Sequence, residues 1–240
     1  MENYNKEDFD ASIALFKSLK SNESSKITEI IELNKDMIAK FINLCNIQQV
    51  NVYNGQKRDY YAKVLFDIIL PYLENMCHIV AIEEDGNCLF RSVSVSLFGD
   101  QSFHIQLRLA SIHYLIKYRS YFTLLIQTSH AIYKKNSNDQ YSSLIEYLAK
   151  IDNWGDDICM VLLSMVINRP IICIQNYKRK NETFAKSNIF YVCKDQLNKQ
   201  PVLLFLNNKH FRACLNNEKE FTPFIETEDL YSFCKLNNYK

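Results

Sequence analysis

A cysteine and a histidine become a nucleophile and its base when a fold brings them together, and two stretches of this sequence offer such a pair. The first is Glu83-Glu84-Asp85-Gly86-Asn87-Cys88-Leu89-Phe90-Arg91-Ser92, where a polar, glycine-containing turn gives way to the apolar pattern Val93-Ser94-Val95-Ser96-Leu97-Phe98. That change puts Cys88 at or just before a helix N-terminus. Unpaired backbone N–H groups and the positive end of the helix dipole meet there, a setting that stabilises an anion and lowers a thiol pKa from about 8.5 to about 3.5–7.5. The second stretch runs from Val202 to Leu215 and reads as a hydrophobic strand, an Asn207-Asn208-Lys209 turn and a second strand opening with His210. An imidazole within reach of the thiol takes its proton and later protonates a leaving amine. A nucleophile followed far downstream by its histidine is the order expected of a cysteine hydrolase.

Each of these residues also has a plainer explanation. Most buried cysteines are small hydrophobes, a histidine at a strand start is more often a surface or satisfied core residue, and Asp85 could be only a helix cap or turn former. Cys88 stands apart from the other seven cysteines by its setting, because it follows Asp-Gly-Asn and Gly86 is one of only four glycines in the chain. His78, His104, His113 and His130 lack the strand setting of His210, and His104 is expected to hold a loop. Trp154, the only tryptophan, is expected to anchor packing.

With both stretches in view, the sequence resembles the ovarian-tumour (OTU) family of papain-like cysteine deubiquitinases. The family's Asp-Gly-Asn-Cys-Leu-Phe-Arg block stands unchanged from Asp85 to Arg91, and its late His-aromatic pair is similar to His210-Phe211. Leu97-Phe98-Gly99-Asp100 followed by His104 and Leu107-Arg108, and the segment Trp154-Gly155-Asp156-Asp157-Ile158, match further landmarks. The resemblance covers about residues 78 to 216. It implies an α/β (α+β) papain-like OTU fold, a small central sheet flanked by helices, to which the apolar spacing of the first 75 or so residues, outside the resemblance, adds an extra N-terminal helical segment. It also implies Cys88 as nucleophile, His210 as its base, and an oxyanion hole built from the backbone N–H groups of Asp85, Gly86, Asn87 and Cys88, with the Asp85 side chain holding that loop. The implied reaction is hydrolysis of isopeptide bonds at the C-terminal glycine of ubiquitin, free or in polyubiquitin chains, or of a ubiquitin-like modifier, without cofactor or metal.

The third catalytic position departs from the family. Many members carry Asp or Asn two residues after the histidine, where its oxygen accepts the imidazole N–H and fixes the tautomer. Here that position is Arg212, and a guanidinium has five donors and no acceptor. Either another group serves, with Asp85, Asn207, Asn208 or an N-terminal Asn or Asp as candidates, or the pair works as a dyad. Two other readings stay open beside the hydrolase: a ubiquitin-binding module with weak or no activity, and a papain-like acyltransferase or peptidase acting on another substrate.

The elements that must position these residues are bounded by composition. The 240 residues, 48% hydrophobic, suffice for one sizeable α/β core or a core with a smaller helical piece. A formal charge of +1 gives no global field toward nucleic acid. No apolar run approaches a membrane span, the N-terminus is too polar for a signal peptide, and scattered cysteines without a C-x-x-C pair fit the cytoplasm, a host cytosol or another reducing compartment, with neither a zinc site nor a disulfide framework.

Apolar spacing predicts three N-terminal helices: Asp8 to Leu19, about Lys26 to Cys45, and about Arg58 to Asn75 with Pro71 kinking or ending it. The third is expected to bury Tyr61, Val64, Leu65, Ile68, Ile69 and Leu73. Helices are then predicted over 106–116, 122–132, 141–150 and 157–167, and strands over 170–174, 189–192 and 202–206, with Glu182 to Asn188 as a connecting loop and Tyr133 to Gln140 as a polar one. The expected organisation is an N-terminal helical extension (1–76) packed on a catalytic domain (77–217), and a tail (218–240) docked through Phe221, Phe224, Tyr231 and Phe233. The exposed face of the N-terminal helices is expected to form part of the modifier-binding surface.

Overall fold

The computed structural model describes residues 4–71, 75–128, 139–179 and 182–217. Its elements run α1 (Lys6–Leu19), α2 (Ser24–Leu33), α3 (Lys35–Ile47), α4 (Tyr60–Ile69), β1 (Cys77–Ile79), α5 (Cys88–Phe98), α6 (His104–Lys117), α7 (Arg119–Thr128), α8 (Gln140–Leu148), α9 (Asp157–Ile167), β2 (Ile171–Arg179), β3 (Glu182–Phe190), β4 (Val202–Asn207) and β5 (His210–Asn216). The strands form one sheet in the order β1-β5-β4-β2-β3, antiparallel except for the parallel pair β2/β4. This is the α/β architecture expected from the sequence.

Both faces of the sheet are covered, and the period-two alternation of the strands divides them. Ile171, Cys173, Val202, Leu204, Phe211, Ala213 and Leu215 join the large core under the helices, whereas Ile172, Ile174, Leu203, Phe205 and Cys214 join a second core with Ala62 and Phe66 of α4. Burial on both sides explains why the strands read as near-continuous apolar runs. Phe66 meets Phe205 edge-on at 5.4 Å between ring centroids, and burying such a side chain contributes about 1.5–3 kcal/mol.

The N-terminal helices share the large core: Phe16, Leu19, Ile27, Ile31 and Phe41 lie in one cluster with Leu89, Leu107 and Leu162. The chain between α3 and α4 is stitched to the sheet edge, with Asp59 N–H donating to Ile79 O (2.9 Å) and Ala81 N–H to Lys57 O (2.8 Å).

Four expectations need correction. The single helix over 26–45 is two, broken at Asn34, whose side chain donates to Ile30 O at 2.8 Å and so competes with the helical ladder. The third helix covers Tyr60–Ile69 and buries Ala62 and Phe66, with Leu65 and Ile69 packed beside them as expected; Tyr61, Val64 and Ile68 are instead 69%, 58% and 65% exposed, and Leu73 lies outside the described residues. Both stripes have helical spacing, and the smaller Ala62 permits the closer approach to the sheet. Residues 182–188 are strand, because β3 pairs with β2 along its whole length from Glu182 to Phe190. Trp154 is 47% exposed, so its ring is no packing anchor. Most of the 133–140 loop and the tail aromatics lie outside the described residues.

Candidate active site

Cys88 is the first residue of α5, and α5 packs against β5. The side chain of Asn87 does not cap the helix. Its Nδ2 donates to Asp85 Oδ2 (3.0 Å) and its Oδ1 accepts from Arg108 Nη2 (2.9 Å). The N–H of Leu89 is left to point at the Cys88 sulfur, joined there by the N–H of Phe211 from β5. The helix-terminus environment expected for the thiol is therefore present. Its effect is outweighed: burial raises the Cys88 pKa above the ordinary thiol value, the Asp85 charge adds to the rise, and the two N–H groups and Arg212 offset it only in part. The thiol is neutral at neutral pH and needs a base to lose its proton.

His210 opens β5 immediately after a two-residue turn in which Asn208 (φ 50°) and Lys209 (φ 65°) are both left-handed, the pairing of a type I′ hairpin loop. That turn sets the register placing Phe211 N–H against Cys88 and the imidazole against the chain after β1. His210 Nε2 lies 3.2 Å from Ile82 O. When Nε2 donates to that carbonyl, Nδ1 is left with a lone pair and can accept a proton. Burial and then Arg212 push the imidazole pKa below its ordinary value, opposed by Glu84, the Ile82 carbonyl and Asp59. The resting pair is thus neutral thiol and neutral imidazole. No hydrogen bond joins Sγ to the ring in this state, a looseness common in active sites without substrate.

The loop before Cys88 is fixed from three sides. Asp85 accepts from Asn87 N–H (2.9 Å) and from Arg91 Nη2 (2.9 Å), and Arg91 also pairs with Glu83. Although burial opposes it, these donors hold the Asp85 carboxyl below its usual range. Gly86 sits so close to the next loop that a Cβ would fall 1.9 Å from Asp152 O. Arg108, fully buried on α6, donates to Gly86 O (3.1 Å), Asn153 O (2.7 Å) and Lys150 O (3.1 Å), and its guanidinium stacks over Phe90 at 4.3 Å. Of the four N–H groups nominated for an oxyanion, Asn87 is engaged by Asp85 Oδ1 and Cys88 by Asp85 O at a long 3.3 Å.

Of the groups considered for the third position, the three close in sequence fall elsewhere, and Asp59, an N-terminal carboxylate, acts on the imidazole through its charge. The Asp85 carboxylate is held by Asn87 and Arg91, Asn207 Oδ1 accepts from Asn176 (3.1 Å), and Asn208 lies in the turn. Arg212 turns its Nε to Asp59 Oδ2 at 2.5 Å. His104 bonds Gln101 O at 2.9 Å and so holds a loop as expected, His78 packs on Tyr53, and His130 lies outside the described residues. Three roles were not assigned from the sequence, although Arg108 stood in a landmark segment and Asp59 is one of the N-terminal carboxylates. A backbone acceptor such as Ile82 O leaves no mark on a sequence. Arg108 does leave one, as a lone charge in an apolar helical run, and so does Asp59, a capping residue before Tyr60-Tyr61-Ala62.

Comparison with known proteins agrees with this geometry. The family described as OTU-like cysteine protease matches residues 83–213. The chain is 46% identical over 133 residues to OTU domain-containing protein 1 of Mus musculus, covering 55% of this chain and 27% of that protein. It is 26% identical over 133 residues to OTU domain-containing protein 4 of Homo sapiens, covering 54% and 10%. The chain thus spans only a minor part of the length of these curated relatives. Among solved structures, the OTU domain of OTUD1 superposes with a TM-score of 0.53 at 23% identity, over 65% of this chain and 96% of that one, a likeness of fold.

Proposed function

The chain belongs to the OTU-like cysteine proteases, and from that premise we propose that it is a deubiquitinase, hydrolysing isopeptide bonds at the C-terminal glycine of ubiquitin or a ubiquitin-like modifier. The observation that carries this reading is the placement of β5 against the start of α5: the N–H of Phe211 lies at the Cys88 sulfur, and the adjacent His210 is tethered through Nε2 to Ile82 O, on the chain that leads to Cys88. Nδ1 of His210 takes the thiol proton as Sγ attacks the glycine carbonyl carbon. The carbonyl electrons move onto oxygen, which N–H groups of the 85–88 loop receive. Collapse of the tetrahedral intermediate expels the lysine amine, which leaves with the proton from His210. A water deprotonated by His210 then opens the thioester and returns the thiol.

The folded body of the modifier needs a surface beyond the tail channel. Helix α4 is capped by Asp59, which touches Arg212 two residues beyond His210, so its exposed stripe of Tyr61, Val64 and Ile68 extends from the active-site edge. This stripe is the proposed platform. Turnover of ubiquitin bearing a C-terminal amide-linked dye, against none for unrelated peptide amides, tests the reading. Equal cleavage of both would replace it with a general peptidase.

A further inference from the structure

Arg212 poses a physical problem. It is buried, 7% exposed, on the strand that carries His210, and its Nη1 donates to His210 O at 3.3 Å. A cation there disfavours the imidazolium that must form when His210 takes the Cys88 proton. The charge is answered from outside the family-matched residues. Asp59 accepts Arg212 Nε at 2.5 Å while its Oδ1 caps α4 through Ala62 N–H (2.9 Å) and its backbone N–H binds Ile79 O (2.9 Å). Every polar group of Asp59 that these bonds use is tied to a different element, so the carboxylate is set in place before Arg212 meets it.

We propose that Asp59 is a positioning residue of the active site: by anchoring and neutralising Arg212 it lets the imidazolium of His210 form, and makes the segment before α4 part of the catalytic unit. This rests on the reading of Cys88 and His210 as the reacting pair. The charged groups acting on the imidazole are Arg212 on β5, Asp59 at the α4 cap and Glu84 in the loop after β1, while Asp85 and Arg212 act on the Cys88 thiol. Arg212 also favours the thiolate, so its charge acts in opposite directions on the two members of the pair, and Asp59 moderates both effects.

The sign of the test follows from charge. Asp59→Asn removes a negative charge yet keeps an equally good helix cap, so the His210 titration should move to lower pH by on the order of half a unit. Arg212→Gln should move it to higher pH, and the double variant, with both charges gone, should return it close to wild type. Histidine-labelled protein followed by NMR, with the His210 signal assigned by His210→Gln, reads this without substrate. The pH profile of kcat/KM with the ubiquitin substrate should shift in the same three directions. A purely structural role would lower the profile at every pH and leave the His210 titration in place, and superimposed titrations of wild type and Asp59→Asn would overturn the proposal. If wild type failed to turn over ubiquitin, the functional reading would fall, while the NMR titrations would still decide the role of Asp59.

Discussion

His210 Nε2 lies 3.2 Å from the carbonyl oxygen of Ile82, so the acceptor expected from a side chain two residues after the histidine is instead a backbone group of the chain entering the nucleophile loop. The carbonyl does what a carboxamide would do, since it accepts one N–H and leaves Nδ1 as the basic nitrogen. Arg212, unable to accept, is thereby compatible with an active pair. The reading as an inactive ubiquitin-binding module loses its main support.

The tautomer can be checked directly. In wild-type protein near pH 7.5, the His210 nitrogens should show Nε2 protonated and Nδ1 bare in NMR spectra, because burial keeps the ring neutral there. The reverse tautomer would remove the Ile82 carbonyl from the account.

The loop proposed to receive the oxyanion should tolerate little change. In Gly86→Ala, the new Cβ meets Asp152 backbone at 1.9 Å, which neither chain can yield cheaply, and a loss of about 1–3 kcal/mol of stability is expected together with near-complete loss of activity. Arg108→Met would strip donors from the carbonyls of Gly86, Asn153 and Lys150 and should cost about 3 kcal/mol or more. Thermal melts and turnover check both. A Gly86→Ala variant with wild-type melting temperature and rate would show that the two loops do not meet as described.

For the platform on α4, Val64→Asp is the discriminating substitution. Val64 is 58% exposed, so the change should leave the melting temperature within a degree or two, as surface substitutions do, while raising KM for the ubiquitin substrate about fivefold or more at little change in kcat. Unchanged kinetics for this variant and for Ile68→Asp would return α4 to a purely structural role.

Stability should depend on pH through the histidines. Burial is the largest cause lowering the pKa of His78, His104, His113 and His210. The unfolded chain therefore binds protons at a higher pH than the folded one, and the stability these groups contribute is full above about 6.5 and lost as pH falls toward their folded values. The melting temperature should hold level from pH 8 to 7 and decline from about 6.5 to 5. A flat response down to pH 5 would contradict the burial of these rings.

Much of this architecture was legible because apolar spacing and turn chemistry act locally. Asn208-Lys209 marked the hairpin, Asp156 and Gly99 mark helix ends through a cap bond and a left-handed φ of 83°, and the Asp85–Arg91 block marked the start of α5, where Cys88 lies. What was not legible depends on tertiary choice. The apolar residues of α4 ring most of the helix, so spacing could place Leu65 and Ile69 inward but could not choose Ala62 and Phe66 over Tyr61, Val64 and Ile68. Strand β3 has a polar sequence, Glu182-Thr183-Phe184-Ala185-Lys186-Ser187-Asn188, and becomes a strand by pairing with β2. The thiol pKa was expected to fall because a helix terminus can be read from sequence, whereas the depth of burial that reverses the shift cannot.

The most direct test of the central claim is covalent labelling by ubiquitin carrying a C-terminal electrophile in place of the scissile carbonyl. The account predicts one stoichiometric adduct, mapped by peptide mass spectrometry to Cys88, absent in Cys88→Ala and strongly slowed in His210→Ala, while the exposed Cys193 stays unmodified. No adduct with folded wild-type protein, or an adduct at Cys193 that persists in Cys88→Ala, would contradict it.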